Sequence, residues 1–180
     1  MTNAKKLLAA TAAVLAVGTI GSVAASAAGP AAGSRTPVKA DAADRDLVGS
    51  THLTIAAATK AAQASLDAAA KEGQKVSVAV VDRDGNTMVM LRGDGAGPQS
   101  YASAEKKAFT AVSWNAPTSA LVGRLSQTPN LKDIPGTLFL PGGAPVQAKG
   151  APVAAVGVAG APSGDLDEKF AQAGVGALGK

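Results

Sequence analysis

Two periodicities of apolar and polar positions run along this chain and predict a mixture of helices and short strands. Small and apolar residues recur at helical spacing after Thr51 or Thr54, either of which can cap a helix that Gly73 would end. A β-branched run at 76–81 and a second run at 87–92 flank the polar turn DRDGN. This order predicts an antiparallel hairpin.

The other elements are predicted from short apolar runs separated by Gly and Pro. In chain order they are helices at 101–112 and 117–125, strands at 137–140, 145–148 and 153–159, and a helix at 165–177. Asp165 and Glu168 have the spacing of a capping box at the start of that last helix. The connection between strands 1 and 2 and those among strands 3, 4 and 5 are short, so these strands are predicted to be antiparallel, and we expect one sheet of five strands with helices packed on it.

The N-terminal segment has the features of a secretory signal peptide. Lys5 and Lys6 precede an apolar stretch at 7–23, and the tripeptide ASA at 25–27 fits the small-x-small rule for signal cleavage. The stretch is about 17 residues long, shorter than the roughly 20 of a membrane-spanning helix. We therefore predict a secreted protein with a signal peptide at 1–27, a flexible leader at 28–50 and a folded domain at 51–180.

Composition then narrows the chemistry of the folded domain. Without Lys5 and Lys6 the chain has 15 basic and 13 acidic residues, a balance that does not predict a nucleic-acid surface. The absence of cysteine excludes thiolate chemistry, iron–sulfur clusters and cysteine-type zinc sites. An exported protein without disulfides must be stabilised by its core or by assembly with copies of itself. One histidine and one tyrosine are a small supply of general acids and bases, so composition favours binding over catalysis.

Several blocks of the sequence, taken together, resemble the GlcG/HbpS family of small α/β domains. They are LTIAAATKAAQAS, VSVAVVDRDGNTMVMLRGDGAG, SAEKKAFTAV, WNAPTSAL, PGTLFLPGG and VGVAGAPSGDLDEKFAQAG, in this order over nearly all of residues 51–180. The resemblance implies an α/β (α+β) sandwich with a five-stranded antiparallel sheet, a homo-oligomer such as an octamer, and binding of haem or other small molecules. With the signal peptide, it points to the secreted haem-binding branch, which assists a membrane sensor kinase that responds to haem, iron and oxidative stress.

His52 is the only histidine of the chain and the first candidate ligand. A neutral imidazole can bind haem iron or free iron, although a histidine just before a helix is also commonly a solvent-exposed residue without a ligand. The resemblance adds that secreted relatives carry histidine at this position. We therefore predict that His52 contacts haem or iron.

Glu105 and Thr137 are the other two candidates. The resemblance implies an iron-binding E-x-x-E pattern at Glu105, but Ala102 stands where the first glutamate would be, and a single carboxylate grips a hard cation weakly. Thr137 follows Gly136, which lets a flat ligand approach the backbone, so its hydroxyl could contact haem; ordinary turn chemistry explains the same residues. We predict Glu105 as an iron contact and Thr137 as a haem contact.

Two groups of charged residues are interpreted as structural. The turn at 82–86 lacks the glycine and glutamate spacing of a calcium loop and is interpreted as a hairpin turn. Lys106 and Lys107 are interpreted as a solvated helix face, although such side chains can also pair with haem propionates.

Three functions remain open at this point. The first is a secreted haem-binding protein that serves a haem- and redox-sensing two-component system, with haem and a sensor kinase as partners. The second is an enzyme that degrades haem or uses bound haem iron in a peroxidase-like reaction. The third is a protein-interaction module without haem, which the alanine-rich first helix would suit.

Overall fold

The computed structural model describes residues 40–179, so the predicted signal peptide at 1–27 and the first part of the leader lie outside the described residues. Asp44–Asp46 form a single 3-10 turn within a separate N-terminal unit, and the chain from Leu47 onward forms the second unit. Over the described range, no helix combines the length and the apolar character needed to cross a membrane.

The second unit is built, over its described residues, from four α-helices and four strands. They are α1 (Ile55–Lys71), β1 (Ser77–Asp82), β2 (Thr87–Arg92), α2 (Pro98–Trp114), α3 (Thr118–Val122), β3 (Gly143–Ala148), β4 (Ala151–Ala159) and α4 (Gly164–Gly176). The strands form one sheet in the order β2-β1-β4-β3, and every neighbouring pair is antiparallel. The α+β class and the antiparallel sheet are therefore confirmed.

The fifth strand, predicted at 137–140, does not form, and the prediction of five strands is wrong within the part of the chain described. The Leu138 amide donates to the Thr110 hydroxyl on α2 at 2.8 Å instead of to a neighbouring strand. The Leu140 amide turns back to the carbonyl of Leu138 at 3.0 Å, and Pro141 has no amide proton to offer a sheet. The apolar run is used for packing, because Phe139 is buried edge-on against Trp114 with ring centroids 5.2 Å apart.

The alternation of side chains along β1 divides the core into two layers. Val78 and Val80 face α1 and α4 in the larger core, whereas Ala79 and Val81 face α2 in the smaller one. The sheet is therefore covered on both faces. The predicted first helix is confirmed: the Thr54 hydroxyl accepts a hydrogen bond from the Ala57 amide at 3.2 Å, which caps the N-terminus of α1.

Helix α2 lies unusually close to the sheet. A Cβ atom placed on Gly157 of β4 would be 2.5 Å from the amide nitrogen of Ala108 and closer still to the carbonyl oxygen of Ala104. Both alanines are fully buried, so α2 presents only small side chains to β4 at this crossing. The close approach fixes the position of α2 relative to the sheet, and α2 carries the outward-facing residues described below.

The start of α4 differs from the predicted capping box between Asp165 and Glu168. Ser163 is the N-cap, and its hydroxyl accepts from the Leu166 amide at 3.3 Å. Glu168 is buried and faces α3 and the start of β3 instead. It accepts from the amide of Ser119 on α3 at 2.9 Å and from that of Gly142, just before β3, at 3.2 Å. Its tertiary hydrogen bonds outcompete the local cap, because they satisfy two amides that would otherwise be left unpaired.

A buried serine between α1 and α4 gives a stability prediction. The Ser65 hydroxyl is fully buried and has no hydrogen-bond partner among the residues described, and a Cβ on Gly174 of α4 would contact it. We expect Ser65→Ala to raise the free energy of unfolding by about 1 kcal/mol, since it removes an unsatisfied polar atom. Urea unfolding measures this, with the exposed Ser113→Ala as a control; a destabilised Ser65→Ala protein would mean that the hydroxyl has a partner such as water.

Candidate functional site

A cleft of about 210 Å³ opens between α2, the β1–β2 turn and the loop before Thr137. Helix α2 contributes three of its lining residues, and the turn and the loop contribute one glycine each. The lining residues are Val81, Gly85, Glu105, Lys106, Phe109 and Gly136. The structure thus brings the predicted candidate Glu105 next to the glycine of the predicted Pro-Gly-Thr loop.

The Phe109 ring lies between two glycines, one from each side of the cleft. A Cβ on Gly85 would be 2.9 Å from Cε2 of Phe109, and a Cβ on Gly136 would be 3.6 Å from Cε1 on the other edge of the ring. Both glycines have positive φ, +88° and +82°, a conformation that other residues adopt only with strain. A partly buried aromatic ring flanked by two positions without side chains offers an apolar surface that a flat ligand can approach closely.

Two charged side chains border this apolar surface. Glu105 is half-buried, and its Oε1 accepts a hydrogen bond from the hydroxyl of Thr87 at 2.6 Å. Ala102, one helical turn earlier, is exposed and supplies no second carboxylate. Lys106 is exposed at the rim, where its ammonium can pair with a ligand carboxylate. The cleft therefore combines an apolar surface with one anionic and one cationic group.

Thr137 lies beside the cleft, and its hydroxyl is hydrogen-bonded within its own turn. Its Oγ1 donates to the carbonyl oxygen of Ile134 at 2.7 Å, and its amide donates to the same oxygen at 3.2 Å. These bonds close the turn that carries Gly136 into the cleft. A bound ligand would have to compete with this turn for the hydroxyl proton. A haem contact by Thr137 stays a prediction.

His52 lies outside α1 and against the β1–β2 turn. Its side chain is 35% exposed, and its Nε2 is 2.5 Å from the hydroxyl of Ser50 and 3.5 Å from Oδ2 of Asp84. Asp84 precedes Gly85, which lines the cleft, so His52 is held at the outer side of the same turn. Its role as a haem or iron contact stays a prediction.

Sequence reasoning missed two residues of this region. Phe109 is four residues after Glu105 on α2, and that spacing places both side chains on one helix face, so it was a usable signal. The proximity of Asp84 to His52 had no such signal, because the contact joins the chain before α1 to a hairpin turn some 30 residues later.

The predicted solvated face at Lys106 and Lys107 is wrong for Lys107. This residue is 4% exposed, and its Nζ donates to Oδ2 of Asp167 at 2.7 Å and to the carbonyl oxygen of Val158 at 3.1 Å. Burial raises the pKa of Asp167, and the hydrogen bond and charge of Lys107 oppose that rise. The ion pair anchors the inner face of α2, whose outer face carries the cleft residues.

Residues 53–176 match the family described as "Haem degrading protein HbpS-like", and the chain belongs to that family. This confirms the resemblance found in the sequence blocks and makes the chain a haem-related protein. A search of the curated proteins found no match.

Solved structures agree with this assignment. Streptomyces reticuli HbpS, in a double mutant that replaces two glutamates three positions apart by aspartate, is 68% identical to this chain. That comparison covers 81% of this chain and 99% of the other, with a TM-score of 0.79. A second HbpS structure is 71% identical over 78% of this chain and 100% of its own, with a TM-score of 0.78. A PduOC–haem complex shares the fold at 23% identity and a TM-score of 0.65, over 71% of this chain and 95% of its own.

Proposed function

We propose that this protein binds haem in the cleft around Phe109. The observation that carries the proposal is the ring held between Gly85 and Gly136, whose missing side chains leave an apolar surface of the kind a porphyrin needs. Lys106 at the rim supplies a cation for a propionate. Bound haem would supply the iron chemistry, and the protein residues would bind and orient the ring.

The size of the cleft supports assembly as part of the proposal. A volume of about 210 Å³ lies below the roughly 300–1,000 Å³ of pockets that enclose drug-sized ligands. One chain therefore covers only part of a porphyrin. A homo-oligomer in which a second copy covers the remaining surface would complete the site, and the predicted octamer is one such assembly.

We place the activity outside the cell, as an accessory to a membrane sensor kinase that responds to haem and redox conditions. The signal-peptide features at 1–27 support export. The identity of 68–71% with HbpS structures supports assignment to the HbpS-type branch of the family. Iron binding at Glu105 is a weaker part of the proposal, because Ala102 leaves that carboxylate without a helical neighbour.

Haem degradation is the second candidate function, and the description of the matched family favours it. The ionisable residues that line the cleft are Glu105 and Lys106, and neither is a histidine placed for general acid–base work. Turnover would therefore depend chiefly on the bound iron and an added reductant. Loss of porphyrin absorbance with formation of a product, when reductant is present, would support this second function over simple binding.

Titration of haemin into the purified protein tests the proposal. We expect a shifted Soret band that saturates at a defined stoichiometry, and we expect Phe109→Leu to weaken binding about tenfold, as loss of an aromatic contact of about 1.4 kcal/mol would. Thr137→Ala tests the predicted haem contact of that hydroxyl, with Thr59→Ala on the exposed face of α1 as its control. His52→Ala tests the predicted histidine ligand in the same titration. A haemin spectrum that the wild-type protein leaves unchanged would overturn the proposal and favour the interaction module.

A further inference from the structure

Three potential metal ligands meet at the outer side of the β1–β2 turn, apart from the Phe109 cleft. One ligand atom from each of His52, Asp82 and Asp84 can be chosen so that all three lie within 4.8 Å of one another. None of these residues lines the cleft. The three side chains come from two separate segments, so the fold, and not local sequence, brings them together.

The β1–β2 turn fixes the Asp82 carboxylate mainly through one of its two oxygens. Oδ1 of Asp82 accepts from the amides of Asp84 at 2.9 Å and Asn86 at 2.8 Å, whereas Oδ2 has only the Asn86 side-chain amide, at 3.2 Å. Among the residues described, Oδ2 thus accepts a single hydrogen bond, so Asp82 is held in place through Oδ1 and has one oxygen available for an ion.

The other two ligands, His52 and Asp84, lie beside Asp82: the backbone next to His52 is fixed by packing, and Asp84 is exposed to solvent. Leu53 packs against the larger core and so fixes the backbone next to His52. Asp84 is 57% exposed, and its carboxylate faces His52 Nε2 at 3.5 Å. Small side-chain rotations would let the imidazole nitrogen and the two carboxylates turn towards one ion, with the remaining coordination positions open to water.

We propose that His52, Asp82 and Asp84 bind a divalent transition-metal ion such as Zn²⁺ or Co²⁺. One imidazole and two carboxylates form a nitrogen–oxygen ligand set that suits these ions, whereas Ca²⁺ and Mg²⁺ prefer oxygen ligands only. The ion would join the chain before α1 to the hairpin turn that carries Gly85. The inference does not rest on haem binding at Phe109, because none of the three residues lines that cleft.

The single histidine makes the test direct. In the tag-free, haem-free protein, His52 gives the only imidazole resonances of the chain, so a titration with Zn²⁺ followed by NMR reports on this site alone. We expect those resonances to shift and saturate at one Zn²⁺ per chain, and calorimetry to give the same stoichiometry. Imidazole resonances that do not move on addition of Zn²⁺ would overturn the proposal.

Two matched substitutions separate this site from other carboxylates. Asp84→Asn keeps the shape of an exposed side chain and is expected to weaken Zn²⁺ binding about tenfold or more, in the range seen when a group that supports a metal site is lost. Asp94→Asn, also exposed but in the loop after β2, is expected to bind Zn²⁺ like the wild type. Equal Zn²⁺ affinity in Asp84→Asn and the wild type would contradict the assignment.

Haem binding gives a separate readout for the same variants. Because Asp84 is not a lining residue of the cleft, Asp84→Asn is expected to leave the haemin titration unchanged while Zn²⁺ binding is weakened. A protein that binds Zn²⁺ but not haemin would support this site and refute the haem proposal. The reverse result would refute this site alone.

Discussion

Lys107→Met is expected to destabilise the fold by about 3–5 kcal/mol, because it would leave the carboxylate of Asp167 buried without its cation. The two side chains are each 5% exposed, and their charged atoms are 2.7 Å apart. The Lys107 ammonium also donates to the carbonyl oxygen of Val158, and Asp167 accepts from the amide of Ala161 at 2.9 Å. The pair thus connects α2, the end of β4 and the start of α4.

Urea unfolding at several pH values checks this expectation. Burial already raises the pKa of Asp167 above 3.8, and removal of Lys107 removes the opposing effect, so in the variant this pKa rises further. An ionised carboxylate then destabilises the folded state at neutral pH, and protonation relieves it. The stability deficit of Lys107→Met should therefore be largest at neutral pH and shrink as the pH falls towards 3.8.

Two further variants give the controls. Lys106→Met removes the neighbouring lysine, which is exposed, and should change the free energy of unfolding by no more than about 0.5 kcal/mol. Combining Lys107→Met with Asp167→Leu removes both charges and should recover part of the lost stability. A Lys107→Met protein as stable as Lys106→Met would show that the ion pair does not form in solution.

The sequence predicted the elements that local patterns determine. The hairpin, α1 and the final helix follow from periodicity and turn residues, and each is present in the structure, although Ser163 and not the predicted capping box caps the final helix. The segment at 137–140 has the composition of a strand, but its amides are taken by a hydroxyl of α2 and by a local turn. Whether such a run joins the sheet depends on which surface lies beside it, and the local pattern does not contain that information.

The same limit applies to the candidate site. Glu105 and the loop before Thr137 were predicted from the family resemblance, and the structure places Glu105 and Gly136 around one cleft. The burial of Lys107 could not be predicted, because Asp167, its partner, is 60 residues further along the chain. The two lysines are adjacent in sequence and have the same charge, yet the helix turns one into the core and the other to the rim.

Gly157→Ala is the second large effect that we expect, with a loss of about 3 kcal/mol in the free energy of unfolding, at the upper end for overpacking of a core. The added methyl group would lie 2.5 Å from the amide nitrogen of Ala108 and 2.9 Å from its Cβ, and would overlap the carbonyl oxygen of Ala104. These are mainly backbone atoms of a helix, so no side-chain rotation relieves the contact. Helix α2 would have to move away from β4.

Urea unfolding of Gly157→Ala beside Gly123→Ala measures the effect. Gly123 has a helical φ of −59°, and a Cβ there would meet nothing within 4 Å, so its substitution should be neutral or stabilise by about 0.5 kcal/mol. An outward shift of α2 would also carry Phe109 away from Gly85 and Gly136. Gly157→Ala should therefore bind haemin more weakly even where it is fully folded, and unchanged stability together with unchanged haemin binding would contradict the close packing of α2 on the sheet.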